Sequence, residues 1–325
     1  MSQRVAAIDC GTNSLRLLIA DVDPVRHTLE DVERRMEIVR LGQGVDATGR
    51  LAPEALERTF RALTEYAGDI NSASTAAVRM VATSATRDAS NSDEFARGVQ
   101  DILGVPPEVI SGGEEARLSF TGATAELSGN GVVRATADRP LPPYLVVDIG
   151  GGSTEFVLGV GTGPVEEADL AAISVDIGCV RLTERHLHAD PPSSAEVLAA
   201  RDDIDRALDD VAAAVPVASA RTLVGLAGSV TTVTAIALGL PVYDPRRTHH
   251  ARVSAANVHR VTTQLLGQSR EERAKIGSLH PGRVDVIGAG ALILERVMER
   301  FGFGEVVTSE HDILDGIAWS IARDA

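Results

Sequence analysis

The chain of 325 residues carries a formal net charge of −15 and is 44% apolar but only 3% aromatic. This length predicts two domains, the acidic charge argues against a nucleic-acid-binding protein, and no apolar run approaches the roughly 20 residues of a membrane span. With two cysteines we expect no disulfide framework, and a strand pattern that begins at Val5 argues against a signal peptide. The single lysine lies outside any Walker-type loop, which argues against P-loop chemistry. We therefore expect a cytoplasmic protein.

The first predicted element is a hairpin at the N-terminus. Its two apolar runs are separated by Asp9-Cys-Gly-Thr-Asn-Ser14, and such runs joined by a glycine-rich step are typical of buried strands with a tight turn. Glycines allow backbone N–H groups to face a concavity that holds phosphate oxygens, and an aspartate at a strand end can hold Mg²⁺. We therefore predict that Asp9 lies on the metal side of a phosphate loop, which consists of Gly11, Thr12, Asn13 and Ser14.

The rest of the first half alternates strands and helices. A strand is predicted near 29–40, and a helix over about 53–69 has Pro53 in its first turn. The next predicted elements are a strand at 78–82, a helix at 93–103, a short strand at 108–110 and a helix from 114 to about 127. The polar, Gly- and Pro-rich stretch at 129–143 is the best candidate for an interdomain hinge.

The hairpin pattern returns in the second half as Asp148-Ile-Gly-Gly-Gly-Ser-Thr-Glu155, again between apolar runs. This copy predicts that Asp148 and Glu155 are magnesium-side carboxylates beside a second phosphate loop, which consists of Gly150, Gly151, Gly152 and Ser153. Two such hairpins in one chain predict two similar half-molecules that close on a phosphate. The alternatives are a turn-stabilising role for each aspartate and a solvated strand position for Glu155.

Both strands and helices are predicted after the second hairpin. Strands are predicted to about 176, and a strand at 222–226 runs into a helix that opens at Ala227-Gly-Ser229. Further elements are predicted from hydrophobic periodicity: helices over about 179–188, 193–214, 254–266, 284–301 and 312–323, and a short strand at 306–307.

Two further motifs complete the pattern: Ile110-Ser-Gly-Gly-Glu-Glu-Ala-Arg117 and Gly225-Leu-Ala-Gly-Ser-Val230. With both hairpins in this order, the chain resembles the short, two-domain form of the exopolyphosphatase/guanosine-pentaphosphate phosphohydrolase family from about Val5 to Gly316. The resemblance implies an α/β, two-domain actin-like fold of the sugar-kinase and Hsp70 superfamily. In such a fold, two mixed sheets with helices flank a cleft between the domains.

The same resemblance implies a division of the chain and a set of partners. Domain I is expected at 1–128 plus about 309–325, with the final helix packed back on it, and domain II at 129–308. The expected ion is Mg²⁺, with Mn²⁺ as the alternative, and family habit suggests a homodimer.

The resemblance gives Glu115 the role of general base, with Glu114 beside it in the same glutamate pair. Hydrolysis of a terminal phosphoryl group needs a carboxylate that positions and deprotonates a water in line with the P–O bond. Adjacent helix residues point about 100° apart, so the two glutamates do not face the same direction. The alternative is that both are acids of a first helical turn, favourable to the helix dipole.

Arg87 and Arg283 match arginines that contact phosphate in the family. The planar guanidinium suits phosphate oxygens, and a chain this acidic needs fixed positive charge near such a substrate; a surface role is the alternative for each. Arg16 stands opposite Glu155 when the two hairpins are aligned, and whether it reaches substrate is open. The segment at Gly228-Ser229 is expected either to bind an anion or to be inherited scaffold.

These residues predict a metal-dependent phosphoanhydride hydrolase that releases terminal orthophosphate from inorganic polyphosphate. The near alternative is a guanosine pentaphosphate (pppGpp) 5′-phosphohydrolase. One Trp and three Tyr offer little surface for stacking a base, which favours polyphosphate. More distant alternatives are an ATP-dependent small-molecule kinase of the same fold and a non-catalytic sensor of polyphosphate or (p)ppGpp.

Overall fold

The computed structural model describes residues 2–127, 140–161 and 169–323. These residues form two compact units: unit 1 contains 2–127 and 311–323, and unit 2 contains 140–161 and 169–310. Most of the predicted hinge at 129–143 lies outside the described residues. In the ranges that the structure describes, no helix combines the length and the apolar character that a membrane crossing requires.

Unit 1 is built on a five-stranded mixed sheet in the order β3-β2-β1-β4-β5. The central strand β1 pairs antiparallel with β2 and parallel with β4, so the first hairpin lies in the middle of the sheet. Because both faces of β1 are covered, its apolar run is buried almost throughout. The strands of this sheet are β1 (Gln3–Cys10), β2 (Ser14–Asp23), β3 (Thr28–Ile38), β4 (Ala77–Ala82) and β5 (Glu108–Val109).

Helices cover both faces of this sheet. They are α1 (Val45–Thr48), α2 (Pro53–Ala73), α3 (Ser84–Arg87), α4 (Ser92–Leu103), α5 (Gly112–Thr124) and α13 (Ile313–Arg323). One face packs on Tyr66 of α2 and Phe95 of α4, and the other on Leu118 of α5 and Ile317 of α13. The short α3 was not predicted, because one turn of helix leaves no periodicity in the sequence.

The helix α5 starts two residues earlier than predicted and ends at Thr124. Ser111 is its N-cap, and its hydroxyl accepts a hydrogen bond from the Glu114 N–H at 3.2 Å, so the helix includes the two glycines before the glutamate pair. Glycines also let α5 and α13 meet backbone to backbone. A Cβ on Gly122 would lie 1.8 Å from the Asp312 carbonyl oxygen, and one on Gly316 would lie 2.0 Å from that of Leu118.

Unit 2 repeats the strand pattern in a six-stranded sheet with the order β10-β11-β9-β6-β7-β8. Its hairpin strand β6 pairs antiparallel with β7 and parallel with β9, as β1 does with β2 and β4. The strands are β6 (Tyr144–Ile149), β7 (Thr154–Gly159), β8 (Ala171–Val175), β9 (Thr222–Leu226), β10 (Arg252–Ser254) and β11 (Glu305–Thr308).

The helices of unit 2 share one apolar core with its sheet. Leu208, Val261 and Leu292 from three different helices are fully buried in this core. The helices are α6 (Cys179–His186), α7 (Ser194–Ala214), α8 (Ala227–Ala237), α9 (Pro245–Thr248), α10 (Ala255–Gly267), α11 (Arg270–Arg273) and α12 (Ile287–Phe301). The long predicted helices are confirmed, whereas the single-turn helices α9 and α11 were not predicted.

The start of α7 gives a pH-dependent contribution to stability. Glu196 accepts hydrogen bonds from the N–H groups of Ser193, Ala189 and His188, and these bonds lower its pKa to about 2 from 4.5. Because the folded pKa lies below the unfolded one, this contribution is present above pH 4.5 and is lost as the pH falls towards 2. We expect Glu196→Gln to have a lower melting temperature than the wild type at neutral pH. Between pH 4.5 and pH 2, the melting temperature of this variant should fall less than that of the wild type. Equal acid sensitivity of both proteins, followed by circular dichroism, would contradict this.

Candidate active site

The two hairpins have the same turn and the same register. The Gly11 N–H donates to the Ser14 carbonyl at 3.0 Å, and the Gly150 N–H donates to the Ser153 carbonyl at 3.0 Å. The aspartate that precedes each turn faces Arg16 in the first hairpin and Glu155 in the second. The two units therefore have equivalent positions around each turn, and one of these positions holds Arg16 in unit 1 and Glu155 in unit 2.

The second loop is held by the first turn of α6. The carbonyls of Gly150 and Gly151 accept hydrogen bonds from backbone N–H groups of this turn at 2.9 to 3.1 Å, and the Gly152 carbonyl accepts one from Arg181 Nε at 2.7 Å. In a trans peptide the N–H points opposite to the preceding C=O. The N–H groups of Gly151, Gly152 and Ser153 consequently point away from α6. Successive N–H groups with this orientation can bind an anion.

Gly178, just before α6, allows this close approach. A Cβ at this position would lie 2.3 Å from the Gly151 carbonyl oxygen, a distance that real Cβ contacts do not show. Gly178 was not predicted as part of the site, although a glycine between a strand and a helix is a signal of close backbone contact.

The first loop is held by the residues that follow β3. The Thr12 carbonyl accepts the Gly42 N–H at 2.8 Å, and the Asn13 carbonyl accepts two N–H groups from residues 39 and 40 at 3.1 and 2.9 Å. By the same argument, the N–H groups of Asn13 and Ser14 point away from that segment. The Thr12 hydroxyl lies 3.0 Å from that of Ser84, which attaches the loop to α3.

Asp9 forms an ion pair with Arg16 across the strands β1 and β2. Its Oδ2 accepts from Arg16 Nε at 3.0 Å and Nη2 at 2.6 Å, while Arg16 Nη1 pairs with Asp312. Asp9 Oδ1 is buried and has no hydrogen-bond partner in the part of the chain that the structure describes. Burial raises the pKa of Asp9, and Arg16 acts against that rise.

Asp148 and Glu155 place two carboxylates opposite each other on β6 and β7. Both are buried, with 7% and 1% exposure. Glu155 Oε1 accepts a hydrogen bond from the Ser174 hydroxyl on β8 at 2.7 Å. Ser174 was not predicted as part of the site, because its position depends on the register between β7 and β8.

Glu115 lies in the first turn of α5 with its side chain turned towards Arg87. It is 7% exposed, and its Oε2 lies 3.3 Å from Arg87 Nη1, which also donates to the Ile110 carbonyl at 3.0 Å. The structure therefore brings together the predicted base and one of the two predicted phosphate-binding arginines.

Glu114 belongs to a different set of contacts from Glu115. Its carboxylate accepts hydrogen bonds from Arg117 at 2.8 and 2.7 Å and lies 3.5 Å from Arg79 Nη2. Burial raises the pKa of Glu114, but the two arginines together bring it below its usual value. This arrangement stabilises the helix α5 and keeps the Glu114 carboxylate ionised.

Arg283 lies against the start of α8 in unit 2. A Cβ on Gly228 would lie 2.1 Å from the Arg283 Cζ, so the guanidinium packs directly against this glycine. The predicted helix opening at this segment is confirmed, and Ala227 has a left-handed φ of 64° at the turn. The buried thiol of Cys179 lies nearby; burial raises its pKa, and Ser229 and Arg283 act against that rise.

The predicted site residues thus fall into two sets. Unit 1 holds the first loop, Asp9, Arg87 and the glutamate pair, and unit 2 holds the second loop, Asp148, Glu155 and Arg283. The cysteine next to the first loop, Cys10, is buried, and burial raises its pKa, in agreement with a packing role.

The chain is similar to known proteins in sequence and in fold. The sequence model of the Ppx/GppA phosphatase family matches residues 18–324. The chain is 50% identical to exopolyphosphatase 2 of Mycobacterium tuberculosis, over 98% of both chains. Among solved structures, an exopolyphosphatase-like protein has 44% identity and a TM-score of 0.91, and the match covers 99% of this chain and 98% of that one.

The Aquifex aeolicus PPX-GPPA enzyme extends the likeness to a more distant relative. Its structure matches with a TM-score of 0.78 and 31% identity over 98% of this chain and 100% of that one. The predicted fold class is confirmed: the chain has the α/β, two-domain actin-like fold with two mixed sheets. From its sequence and its structure, the chain belongs to the Ppx/GppA phosphatase family.

Proposed function

We propose that this protein is an exopolyphosphatase, which hydrolyses the terminal phosphoanhydride bond of inorganic polyphosphate and releases orthophosphate. The observation that carries the proposal is the buried Glu115 carboxylate, held 3.3 Å from the Arg87 guanidinium at the start of α5. The 50% identity to a protein named exopolyphosphatase 2 supports the same substrate class.

In the proposed reaction, Glu115 accepts a proton from a water molecule that attacks the terminal phosphorus. Burial limits competing water around this carboxylate, and Arg87 fixes its orientation. In unit 1, the N–H groups of the first glycine loop are proposed to bind phosphate oxygens, with Arg87 as fixed positive charge. In unit 2, the N–H groups of the second loop and Arg283 are proposed to have the same two roles. The polyphosphate end leaves with one phosphate fewer, and the released orthophosphate contains the oxygen of the water.

The residues of the second hairpin fit a divalent cation. Two buried carboxylates at directly opposed positions offer the hard oxygen ligands that Mg²⁺ prefers, and Asp148 and Glu155 would hold the ion. A bound Mg²⁺ neutralises part of the phosphate charge, and Mn²⁺ is the alternative ion.

Ser174 is expected to matter for this ion although it does not contact substrate. Ser174→Ala removes the hydroxyl that holds Glu155 Oε1, and loss of such a support weakens metal binding about 10- to 100-fold. Titration of Mn²⁺ by electron paramagnetic resonance measures this change. Ser219→Ala is the control, because within the described residues that hydroxyl donates to one partner, the nearby Pro216 carbonyl. An unchanged Mn²⁺ affinity in Ser174→Ala would contradict the prediction.

Polyphosphate is favoured over pppGpp because the chain offers few exposed aromatic rings. Trp319, Tyr66 and Tyr144 are buried in the cores of the two units, which leaves Tyr243 as the remaining Trp or Tyr for stacking on a base. The test is a phosphate-release panel with short polyphosphate, long polyphosphate, pppGpp and ATP in the presence of Mg²⁺. Faster release from polyphosphate supports the proposal, whereas a preference for pppGpp selects the alternative.

The same panel separates the more distant alternatives. A kinase produces ADP from ATP only when an acceptor is present, and a sensor binds polyphosphate or (p)ppGpp without turnover. We also propose that the protein is cytoplasmic and forms a homodimer. The free, buried thiols of Cys10 and Cys179 agree with a reducing compartment, and light scattering of the purified protein tests the homodimer.

A further inference from the structure

The two glycine loops are held at equivalent carbonyls by different kinds of donor. In the first loop, the Asn13 carbonyl accepts the backbone N–H groups of residues 39 and 40. At the equivalent position of the second loop, the Gly152 carbonyl accepts a hydrogen bond from Arg181 Nε at 2.7 Å. The direction of this carbonyl therefore depends on a charged side chain, whereas that of Asn13 depends on neutral backbone amides.

Arg181 holds two successive carbonyls of the second loop. It lies in the first turn of α6, and its own backbone N–H donates to the Gly151 carbonyl at 3.1 Å. Its side chain is only 12% exposed. A hydrogen bond from a charged donor is stronger than one from a neutral amide. The contact with Gly152 is therefore a short, charge-assisted hydrogen bond from a side chain whose backbone is already fixed to the loop.

The glycines of the second loop make such support necessary. Glycine adopts a wide range of backbone angles, so the Gly150-Gly-Gly152 sequence does not itself fix the direction of its peptide groups. The Ser153 N–H points opposite to the Gly152 carbonyl in their shared peptide. Rotation of that peptide would turn this N–H away from a bound phosphate. The hydrogen bond from Arg181 opposes the rotation, and it polarises the peptide, which makes the Ser153 N–H a stronger donor.

We propose that Arg181 is a positioning residue for phosphate binding: its Nε holds the Gly152 carbonyl so that the Ser153 N–H points to a phosphate oxygen. This inference rests on the proposed function, in which the second loop binds phosphate. Arg181 acts through the loop and does not contact substrate. Since this N–H meets the phosphate both in the bound substrate and in the transition state, its loss raises KM and leaves kcat unchanged.

Two substitutions separate the hydrogen bond from the charge. The amide nitrogen of Arg181→Gln is as many bonds from the backbone as Nε, so this variant keeps a donor without the charge, whereas Arg181→Met has a similar length and no donor. We expect Arg181→Met to raise KM for short polyphosphate about tenfold at a similar kcat, and Arg181→Gln to stay within about threefold of the wild-type KM.

Arg185→Met is the matched control. Arg185 lies one turn further along α6, and its guanidinium pairs with Asp203 on α7. We expect this variant to keep the wild-type KM. Circular dichroism verifies that each variant is folded. A lower kcat at unchanged KM in Arg181→Met would show a merely structural role and overturn the inference, and so would equal increases of KM in Arg181→Gln and Arg181→Met.

Binding of orthophosphate, measured by calorimetry on the same proteins, distinguishes this inference from the proposed function. We expect about tenfold weaker binding in Arg181→Met than in the wild type. Such weakening in Arg181→Met but not in Arg181→Gln, with no release of phosphate from polyphosphate by the wild type, would leave the inference standing and contradict the proposed function. Release with the same KM in the wild type and Arg181→Met would do the reverse. A wild type that neither binds orthophosphate nor releases it would overturn both.

Discussion

Replacement of Glu115 by Gln is expected to slow phosphate release from polyphosphate by about 10²- to 10⁴-fold. The amide keeps the size of the side chain but does not accept a proton from water. Because Glu115 lies in the first turn of α5 and contacts Arg87 without being part of the apolar core, we expect the fold to survive. Initial rates of orthophosphate release at saturating polyphosphate and Mg²⁺ measure the effect.

Glu94→Gln is the matched control for this experiment. Glu94 also lies in the first turn of a helix, α4, but it is exposed, and its carboxylate accepts from the Asn91 amide instead of an arginine. We expect this variant to retain the wild-type rate. Retention of near-wild-type turnover by Glu115→Gln would show that another group activates the water.

Replacement of Arg16 by Met is expected to destabilise unit 1 by about 3 kcal/mol, since removal of one partner leaves buried carboxylates without their counter-charge. The value is at the lower end of the range for broken buried pairs because the Arg16 side chain is 18% exposed. Urea unfolding followed by Trp319 fluorescence measures the change, since this residue lies in the core of unit 1.

The loss caused by Arg16→Met is expected to shrink at low pH. Burial raises the pKa of Asp9, and in the wild type the positive charge of Arg16 acts against that rise. Removal of Arg16 therefore raises the pKa of Asp9 further. A carboxyl whose folded pKa exceeds its unfolded value favours the folded state below the unfolded pKa and loses that contribution as the pH rises through the folded pKa. The deficit should therefore be smaller near pH 4 than near pH 8.

Arg4→Met is the control for this second prediction. Arg4 pairs with Asp21 across the same strands, but their side chains are 39% and 33% exposed, so we expect a loss below about 1 kcal/mol. Equal losses for both variants, or a deficit in Arg16→Met that does not change with pH, would contradict the role of Arg16 as a buried counter-charge.

The repeated hairpins could be predicted from the sequence because their signal is local. An apolar run, an aspartate and a glycine-rich turn lie within a few positions of each other, and both loops have the predicted turn. The same holds for the start of α5, where a serine, two glycines and two glutamates form a capped first turn. Local periodicity also predicts the long helices of both units.

Contacts between distant positions could not be predicted in this way. Arg16 and Asp312 are separated by 296 positions, and their pairing exists only because α13 packs on the sheet of unit 1. Ser174 reaches Glu155 because β8 joins the sheet in one particular register. The alignment of the two hairpins did place Arg16 opposite Glu155, but only the structure shows that the guanidinium binds Asp9.

The most direct test of the proposed exopolyphosphatase activity is phosphorus NMR of short polyphosphate incubated with the purified protein and Mg²⁺. We predict that the orthophosphate signal grows from the first time points while the signal of internal phosphates falls, since each turnover removes one terminal phosphate. Polyphosphate that stays unchanged, or internal cleavage that shortens the chains without early orthophosphate, would contradict the account.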